Sequence, residues 1–283
     1  MEGSPLAAAA PSRSTIPVSS PPPRYTLTPS RYYSEDVLFC VDVDVESKAE
    51  MAKGRSITRL DAIKQAICLF IHAKHTMNPD HRFALSILTQ SVSWVRKDFS
   101  SEVDLLLPAV WALTAADTSY GFADITQLFR IATHEAKKSR AQSRLFRVAP
   151  NLNFVPKVKS SCFQILIYCR SSVCPQHQWP VSQKFFTMDV IYLHDKPSTE
   201  NCPQKVYDAL VDALEHVSEY EGFIFESGQS YSRVILKQMC MLLSHPQQRC
   251  LQDDIDFPKS LVRKSPAQVD TTVNEEGTHI LIQ

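Results

Sequence analysis

VLFCVDVDVES, residues Val37 to Ser47, contains the transition that decides the fold of this chain. The apolar run Val37–Val41 is typical of a strand that is buried on both faces of a parallel sheet. Asp42, Asp44 and Glu46 follow where an α/β fold places its ligand-binding loops. In a continuing strand these alternate positions would share one face, and hard divalent cations prefer oxygen ligands. The stretch therefore predicts a central strand with an acidic edge that is suited to a metal ion.

Strand-like and helix-like patterns alternate along the middle of the chain. Apolar runs of strand length are separated by stretches in which apolar residues recur with a helical period. Such alternation is typical of βαβ units, so we predict one α/β domain, residues 35 to 249, with a mostly parallel sheet flanked by helices. Strands are expected at residues 37–41, 83–88, 92–95, 163–168, 185–194 and 221–226, with helices after Thr58, Ser101, Asn201 and Ser230 and around residues 125–132.

The two ends of the chain differ in composition from the middle. Residues 1 to 34 are rich in Pro, Ser and Ala, and residues 250 to 283 contain several acids but few large apolar side chains. Neither segment has enough apolar periodicity to bury a core, so both are predicted to be disordered tails. Arg13, Arg24 and Arg31 outnumber the one acid of the first tail, which leaves an organellar transit peptide as an alternative.

Composition also weighs against several classes of function. Thirty Lys and Arg balance thirty Asp and Glu, and no apolar run approaches the roughly 18 residues of a membrane span, so neither a nucleic-acid nor a membrane partner is expected. The chain has only six Gly and no phosphate-binding glycine motif, so we expect no nucleotide cofactor. Eight Cys are scattered singly, as in a reducing compartment. A GxSxG elbow is absent, so an α/β hydrolase is a weak alternative.

Basic residues and possible metal ligands occur in three further places. A connection at residues 139–160 is basic and contains no acid, and it is interpreted as a solvated or partner-facing loop rather than a nucleic-acid site. Cys174 and His177 have the spacing of one pair of zinc ligands, but a structural zinc site needs a second pair. His72 and His75 are interpreted as a pair on a helix surface. We therefore predict no metal at these places.

The strand with its acidic loop resembles the von Willebrand factor A fold. That fold holds a metal through an Asp-x-Ser-x-Ser loop, a Thr in a second loop and an Asp in a third. Asp42 matches the first Asp, whereas Asp44 and Glu46 stand where the two Ser should be, and Thr118 matches the Thr. The third loop has no Asp and contains Arg170 instead. The resemblance thus implies degenerate metal positions without a metal, and a metal-dependent ligand-binding module remains the alternative function.

Longer segments are similar to one branch of that fold, the von Willebrand A-like scaffold subunits of the BRISC and BRCA-one-A deubiquitinase complexes. The matching segments include SEDVLFCVDVDVESKAEM (34–51), MDVIYLH (188–194) and MLLSHPQQR (241–249). The resemblance implies a non-catalytic scaffold for an enzyme that cleaves lysine-63-linked polyubiquitin. It implies as partners an E2-variant-domain subunit, a JAMM-type zinc deubiquitinase and an Abraxas-type scaffold, and roles in the nucleus and cytoplasm, including the DNA-damage response. No JAMM-like His-x-His pattern occurs here, so the protease must be another subunit.

The segment HPQQR is the most specific short match to that family. Pro246 is expected to end the last helix and to leave an extended segment, and Arg249 could form a forked ion pair with a carboxylate of a partner. The resemblance therefore implies a partner-binding site at His245, Pro246, Gln248 and Arg249. The alternative is a plain helix stop, for which Pro246 alone would be sufficient.

Overall fold

In a computed structural model of the chain, the structure describes residues 34–51, 56–145, 161–180, 184–228 and 232–255. A six-stranded sheet with the order β3-β2-β1-β4-β5-β6 forms its centre. The strands are β1 Glu35–Asp42, β2 Arg82–Leu88, β3 Val92–Ser100, β4 Ser161–Tyr168, β5 Thr187–Leu193 and β6 Ile224–Ser227.

The sheet is parallel except at one edge. β1 pairs in parallel with both β2 and β4, β4 with β5, and β5 with β6, whereas β3 is antiparallel to β2. All eight residues of β1 are buried, as expected for a central strand that is covered by helices on both sides. The predicted fold class, a mostly parallel α/β sheet flanked by helices, is confirmed.

Among the described residues, five α-helices cover the two faces of the sheet. Residues of α1, α2 and α5 pack with Val37, Phe39 and Val41 in one buried cluster, and residues of α3 and α4 pack with Leu38 and Cys40 in the other. Successive side chains of a strand point to opposite faces, so β1 supplies alternate residues to both layers. The helices are α1 Arg59–Met77, α2 Val103–Trp111, α3 Thr126–Leu145, α4 Pro203–Val217 and α5 Ser232–Met241.

Local sequence signals explain where α1 and α4 begin. The Thr58 side chain accepts the Asp61 N–H, and the Asp61 carboxylate accepts the Thr58 N–H, so the predicted capping pair forms a full capping box. α4 begins at Pro203, where a missing N–H costs nothing. None of the described helices is long and apolar enough to cross a membrane.

Several predicted boundaries need correction. β3 continues to Ser100 instead of ending at residue 95, because an edge strand that pairs on one side tolerates polar side chains. α3 continues to Leu145, so residues 139–145 of the predicted basic loop are helical. Gln252 bonds to β6, so the domain continues beyond the boundary predicted at residue 249. The predictions for residues 1–33, 146–160 and 256–283 lie outside the described residues.

The residues after 249 belong to the domain because they close an edge of the sheet. The Gln252 side-chain carbonyl accepts the Ile224 N–H (2.8 Å), and its amide donates to the Ile224 carbonyl (2.7 Å). One carboxamide thereby satisfies both backbone groups of an edge-strand residue. This pairing blocks the outer side of β6 at that position.

Candidate functional site

The candidate site lies where the direction of strand order reverses, between β1 and β4. In open α/β sheets the crevice at the carboxyl ends of two such strands is the usual place for a ligand. Asp42 is the last residue of β1, and Arg170 follows β4 by two residues. Topology therefore brings together an acid and a base that lie 128 positions apart in the sequence.

The guanidinium of Arg170 fills this crevice. Its Nε lies 3.2 and 3.1 Å from the two carboxylate oxygens of Asp42, and its Nη2 lies 3.0 Å from Oδ1. Nη1 donates to the carbonyls of Tyr120 (3.1 Å) and Phe122 (2.7 Å), and Nη2 also donates to the carbonyl of Thr89. The three nitrogens thus bind a carboxylate and three backbone carbonyls, in keeping with the five donors of a guanidinium.

Both partners of this ion pair are buried. The side chains of Arg170 and Asp42 are both 0% exposed, and Asp44 Oδ2 lies 3.8 Å from the same guanidinium. Burial alone would lower the pKa of Arg170, but the Asp42 carboxylate outweighs it, so the pKa is raised above its ordinary value. The crevice consequently holds a permanent positive charge that the chain itself supplies.

The other two acids bind the neighbouring loops. Asp44 accepts the Tyr120 N–H (2.7 Å) and the Ser119 hydroxyl (3.2 Å). Glu46 accepts the Ser171 N–H (3.1 and 3.0 Å) and the Ser171 hydroxyl (2.6 Å). We call Asp42, Asp44, Glu46, Ser119, Arg170 and Ser171 the carboxyl-edge cluster. It fastens three loops together over the end of the sheet.

Two details of the predicted edge need correction. β1 ends at Asp42 and the chain turns into a short 3-10 helix, Val45–Lys48, so the three acids do not share the face of a strand. The hydroxyl that reaches Asp44 belongs to Ser119, whereas the side chain of the predicted Thr118 is exposed. Sequence spacing gave the correct loop but not the correct residue within it.

The side chains present do not fit a metal ion. A guanidinium already occupies the space between the acids, and the Asp42 carboxylate also accepts the N–H groups of Asp44 and Cys169, each at 3.1 Å. Among the described residues no three His, Cys, Asp or Glu side chains are placed to hold a metal, and this includes the surroundings of Cys174 and His177. The described residues at this edge therefore provide no set of ligands for a metal ion.

The second predicted site contains another internal ion pair. Arg249 forms the forked pair expected of it, but the carboxylate is Asp189 of β5: Nη1 to Oδ1 is 2.6 Å and Nη2 to Oδ2 is 2.9 Å. Both side chains are 0% exposed, and the guanidinium stacks 4.6 Å from the centre of the Phe223 ring. The prediction that Arg249 binds a partner carboxylate is therefore wrong in this structure. The Asp within the apolar strand MDVIYL could have indicated this internal ion pair, since a buried Asp needs a partner.

The rest of HPQQR divides into buried and exposed positions. Residues Pro246–Gln248 form a 3-10 turn rather than the extended segment predicted. Pro246 is buried, His245 is partly buried, and Gln248 is exposed. His245 Nδ1 accepts the Gln247 N–H at 3.2 Å, which caps the turn. Of the four predicted positions, Gln248 presents the most accessible side chain to a partner.

Basic side chains near the end of α3 contact the protein itself. Arg140 pairs with Glu219 and donates to the Phe185 carbonyl at 3.0 Å, and Lys137 lies 4.7 Å above the Phe185 ring. Lys138 lies 3.6 Å from Glu135. Of the loop predicted at residues 139–160, Arg140 is therefore bound within the fold, as are Lys137 and Lys138 just before it.

Buried thiols lie near the sheet but are poorly suited to nucleophilic chemistry. Burial raises the pKa of Cys40 to about 12 and raises that of Cys169 well above its ordinary value, so both stay protonated at neutral pH. A thiol must ionise to attack a substrate. The thiols beside the candidate site therefore behave as small apolar side chains.

The sheet order, the single antiparallel edge and the loops gathered over β1 and β4 define a von Willebrand factor A-like domain. No protein-family model matches the sequence. The chain is similar to BRISC and BRCA1-A complex member 1 of Xenopus laevis, with 24% identity over 257 residues, which cover 86% of this chain and 74% of that protein. The corresponding Homo sapiens protein is 22% identical over 268 residues, with 87% and 74% covered.

Solved structures with a similar arrangement share little sequence with this chain. The N-terminal domain of TFIIH p34 gives a TM-score of 0.49 at 10% identity and covers 73% of this chain and 96% of that one. The SpRpn10 VWA domain gives a TM-score of 0.41 at 12% identity, with 72% and 95% covered.

Proposed function

We propose that the chain is a non-catalytic scaffold subunit of a deubiquitinase assembly of the BRISC or BRCA1-A type. Similarity to the complex members named above supports this proposal. The observation that carries it is the Arg170–Asp42 pair, which fills the crevice where an α/β fold would bind a ligand or metal. With that crevice closed, the outer surface of the domain remains available for binding.

Three partners follow from the proposal. An E2-variant-domain subunit would dock on the chain, and an Abraxas-type scaffold and a JAMM-type zinc deubiquitinase would complete the assembly. The zinc enzyme would cleave lysine-63-linked polyubiquitin, and this chain would stabilise and position it. Such an assembly would work in the nucleus, in DNA-damage signalling, and in the cytoplasm, in ubiquitin editing.

Affinity purification of the tagged full-length chain from its own cells tests this proposal. We expect the E2-variant-domain subunit and the JAMM-type enzyme to co-purify, and the eluate to cleave lysine-63-linked chains in a way that a zinc chelator stops. The purified chain alone should leave the same polyubiquitin intact. Recovery of neither subunit would overturn the proposal, as would cleavage by the chain alone.

The exposed end of HPQQR offers a sharper version of the same experiment. Gln248→Lys places a charge at the exposed position of the segment and should reduce recovery of the E2-variant subunit. Gln204→Lys makes the same change on α4, on the other face of the sheet, and should leave recovery unchanged. Equal recovery from the two variants would remove Gln248 from the interface while leaving the assembly itself in place.

A further inference from the structure

Helix α2 exposes an unusual amount of apolar surface. Its sequence, VDLLLPAVW, is apolar nearly all round, yet only Val103, Leu106 and Val110 are buried. On its outer side Leu105 is 48% exposed and Trp111 is 51% exposed. A helix that is apolar on every side is normally covered on every side. The described residues therefore leave the outer side of α2 without a cover.

The exposed side of α2 borders a groove against α1. The two helices run antiparallel: Lys64 Nζ donates to the Trp111 carbonyl at 3.1 Å near one end, and His72 and His75 face the first turn of α2 at the other. We call this surface the α1–α2 groove.

A cavity of about 470 Å³ opens at the His72 end of the groove and gives it a charge preference. Glu102 and Asp104 line it together with His75 and Leu105, and its lining contains no Lys or Arg. Neither acid forms an ion pair with any described residue within 4 Å. The histidines and acids of the cavity are also not placed to hold a metal, as judged over the described chain. The carboxylates are thus available to a cationic group from outside.

We propose that the α1–α2 groove docks an amphipathic helix of a partner protein. Apolar side chains of that helix would cover Leu105 and Trp111, and a Lys or Arg at its edge would enter the cavity and pair with Glu102 and Asp104. Helix-in-groove recognition reads apolar anchors at helical spacing, and the added charge pair fixes register and direction. The proposal does not depend on which assembly the chain joins. The groove is also distinct from the exposed Gln248 position.

Two synthetic helical peptides test the charge preference of the groove. Both have about 18 residues, or five turns, and the same Leu face, but one is flanked by Lys and the other by Glu. Fluorescence anisotropy with the full-length chain should give a Kd about tenfold lower for the Lys-flanked peptide. Replacing Glu102 and Asp104 by Lys should reverse that order, whereas Asp98→Lys, an exposed acid on β3 outside the cavity, should not. Equal affinity for the two peptides would overturn the proposal.

The apolar part of the groove is tested with a matched pair of surface variants. Leu105→Ser should weaken binding of the Lys-flanked peptide by about tenfold. Leu251→Ser removes a Leu elsewhere on the domain that is 62% exposed, against 48% for Leu105, and should have no effect. Since both side chains are largely exposed, neither change should unfold the chain, and circular dichroism checks this directly. A loss of affinity that is the same in both variants would contradict docking at the groove.

A photo-crosslinking amino acid in place of Trp111 identifies the natural occupant. In cells, we expect the full-length chain to crosslink to a partner segment that is amphipathic and bears Lys or Arg beside its apolar face. The crosslink should be lost when Glu102 and Asp104 are replaced by Lys. A crosslink to residues 256–283 of the same chain, to a second copy, or to a segment without these features would overturn the proposal.

Discussion

Arg170 supplies the positive charge that holds the acids of the carboxyl edge together. Three acids that follow a buried strand would repel one another and lose hydration if nothing compensated them. The guanidinium binds one of them directly, and hydroxyl and N–H groups of the adjoining loops bind Asp44 and Glu46. The same residue therefore stabilises the strand ends and closes the crevice.

Removing the charge of Arg170 should be costly. Arg170→Met leaves Asp42 buried without its cation, and breaking such a pair typically costs about 3–5 kcal/mol. Urea unfolding should show this loss. Lys48→Met, which breaks an exposed ion pair with Asp117, should cost much less, because water screens that pair. Similar midpoints for the two variants would show that the buried pair is not a major source of stability.

The wild-type chain should not bind Mg²⁺ or Mn²⁺ at the carboxyl edge. A divalent ion would have to displace a guanidinium that already binds Asp42 and three backbone carbonyls. Calorimetric titration of the full-length chain should give no saturable heat that Asp42→Asn removes. A heat of binding that disappears in Asp42→Asn would instead support a metal-dependent ligand-binding module.

Among the structural elements, the segment after α5 is fastened by Arg249. Its guanidinium binds Asp189 on β5 and also donates to the carbonyls of Ser244 (3.2 Å) and Glu221 (3.3 Å). One side chain thus joins the turn after α5 to the sheet and to the loop before β6. HPQQR therefore attaches the end of α5 to the sheet, and its exposed residues lie on the surface.

Arg249 and Gln248 should therefore behave differently when replaced. Arg249→Ala leaves Asp189 buried without its partner and should lower the free energy of unfolding by about 3–5 kcal/mol. Gln248→Lys changes an exposed side chain and leaves no buried charge without its partner, so it should lower the free energy of unfolding much less. Thermal unfolding of both variants distinguishes them. A stable Arg249→Ala chain would contradict the anchoring role.

The capping box should contribute measurably to α1. Thr58→Ala removes the acceptor for the Asp61 N–H and should cost about 1 kcal/mol. Thr76→Ala, in the exposed last turn of the same helix, removes a bond to the His72 carbonyl and should cost less, because that carbonyl remains accessible to water. Urea midpoints of the two variants provide the comparison, and a larger effect at Thr76 would contradict the capping argument.

For the domain as a whole, stability should fall as the pH drops from neutral toward 4. Burial lowers the pKa of His81 to about 4, with Lys74 and His245 opposing its charge and Glu35 and Asp80 favouring it. Its Nδ1 accepts the Glu35 N–H at 2.9 Å, a bond that protonation of Nδ1 breaks. Between pH 6.5 and 4 the unfolded chain therefore binds more protons than the folded one, which reduces stability by up to about 3 kcal/mol.

A variant at His81 isolates this effect. His81→Asn keeps a side-chain acceptor for the Glu35 N–H but does not titrate, so its unfolding free energy should change less between pH 7 and pH 4.5. His245, whose burial also lowers its pKa to about 4, remains in the variant and retains part of the slope. Identical pH profiles for the wild type and His81→Asn would remove His81 as the cause.

Local sequence patterns are sufficient to predict most elements and the mostly parallel character of the sheet. The unbroken apolar run of β1 predicts burial on both faces, and Thr58 with Asp61 predicts the start of α1, because hydrophobic period and capping act over a few neighbouring residues. The acids after β1 could likewise be placed at a carboxyl edge. Each of these conclusions depends on short-range physics.

The partners of the charged residues, in contrast, depend on how the strands are ordered in the folded chain. In the sequence, Arg170 stands in the third loop, where the family has an Asp. Its pairing with Asp42 spans 128 positions, and the pairing of Arg249 with Asp189 spans 60. Spacing cannot reveal such partners, since strand order sets which loops meet. An Arg that could have contacted a partner protein is consequently buried on its own chain, and an acidic edge suited to a metal is closed by a guanidinium.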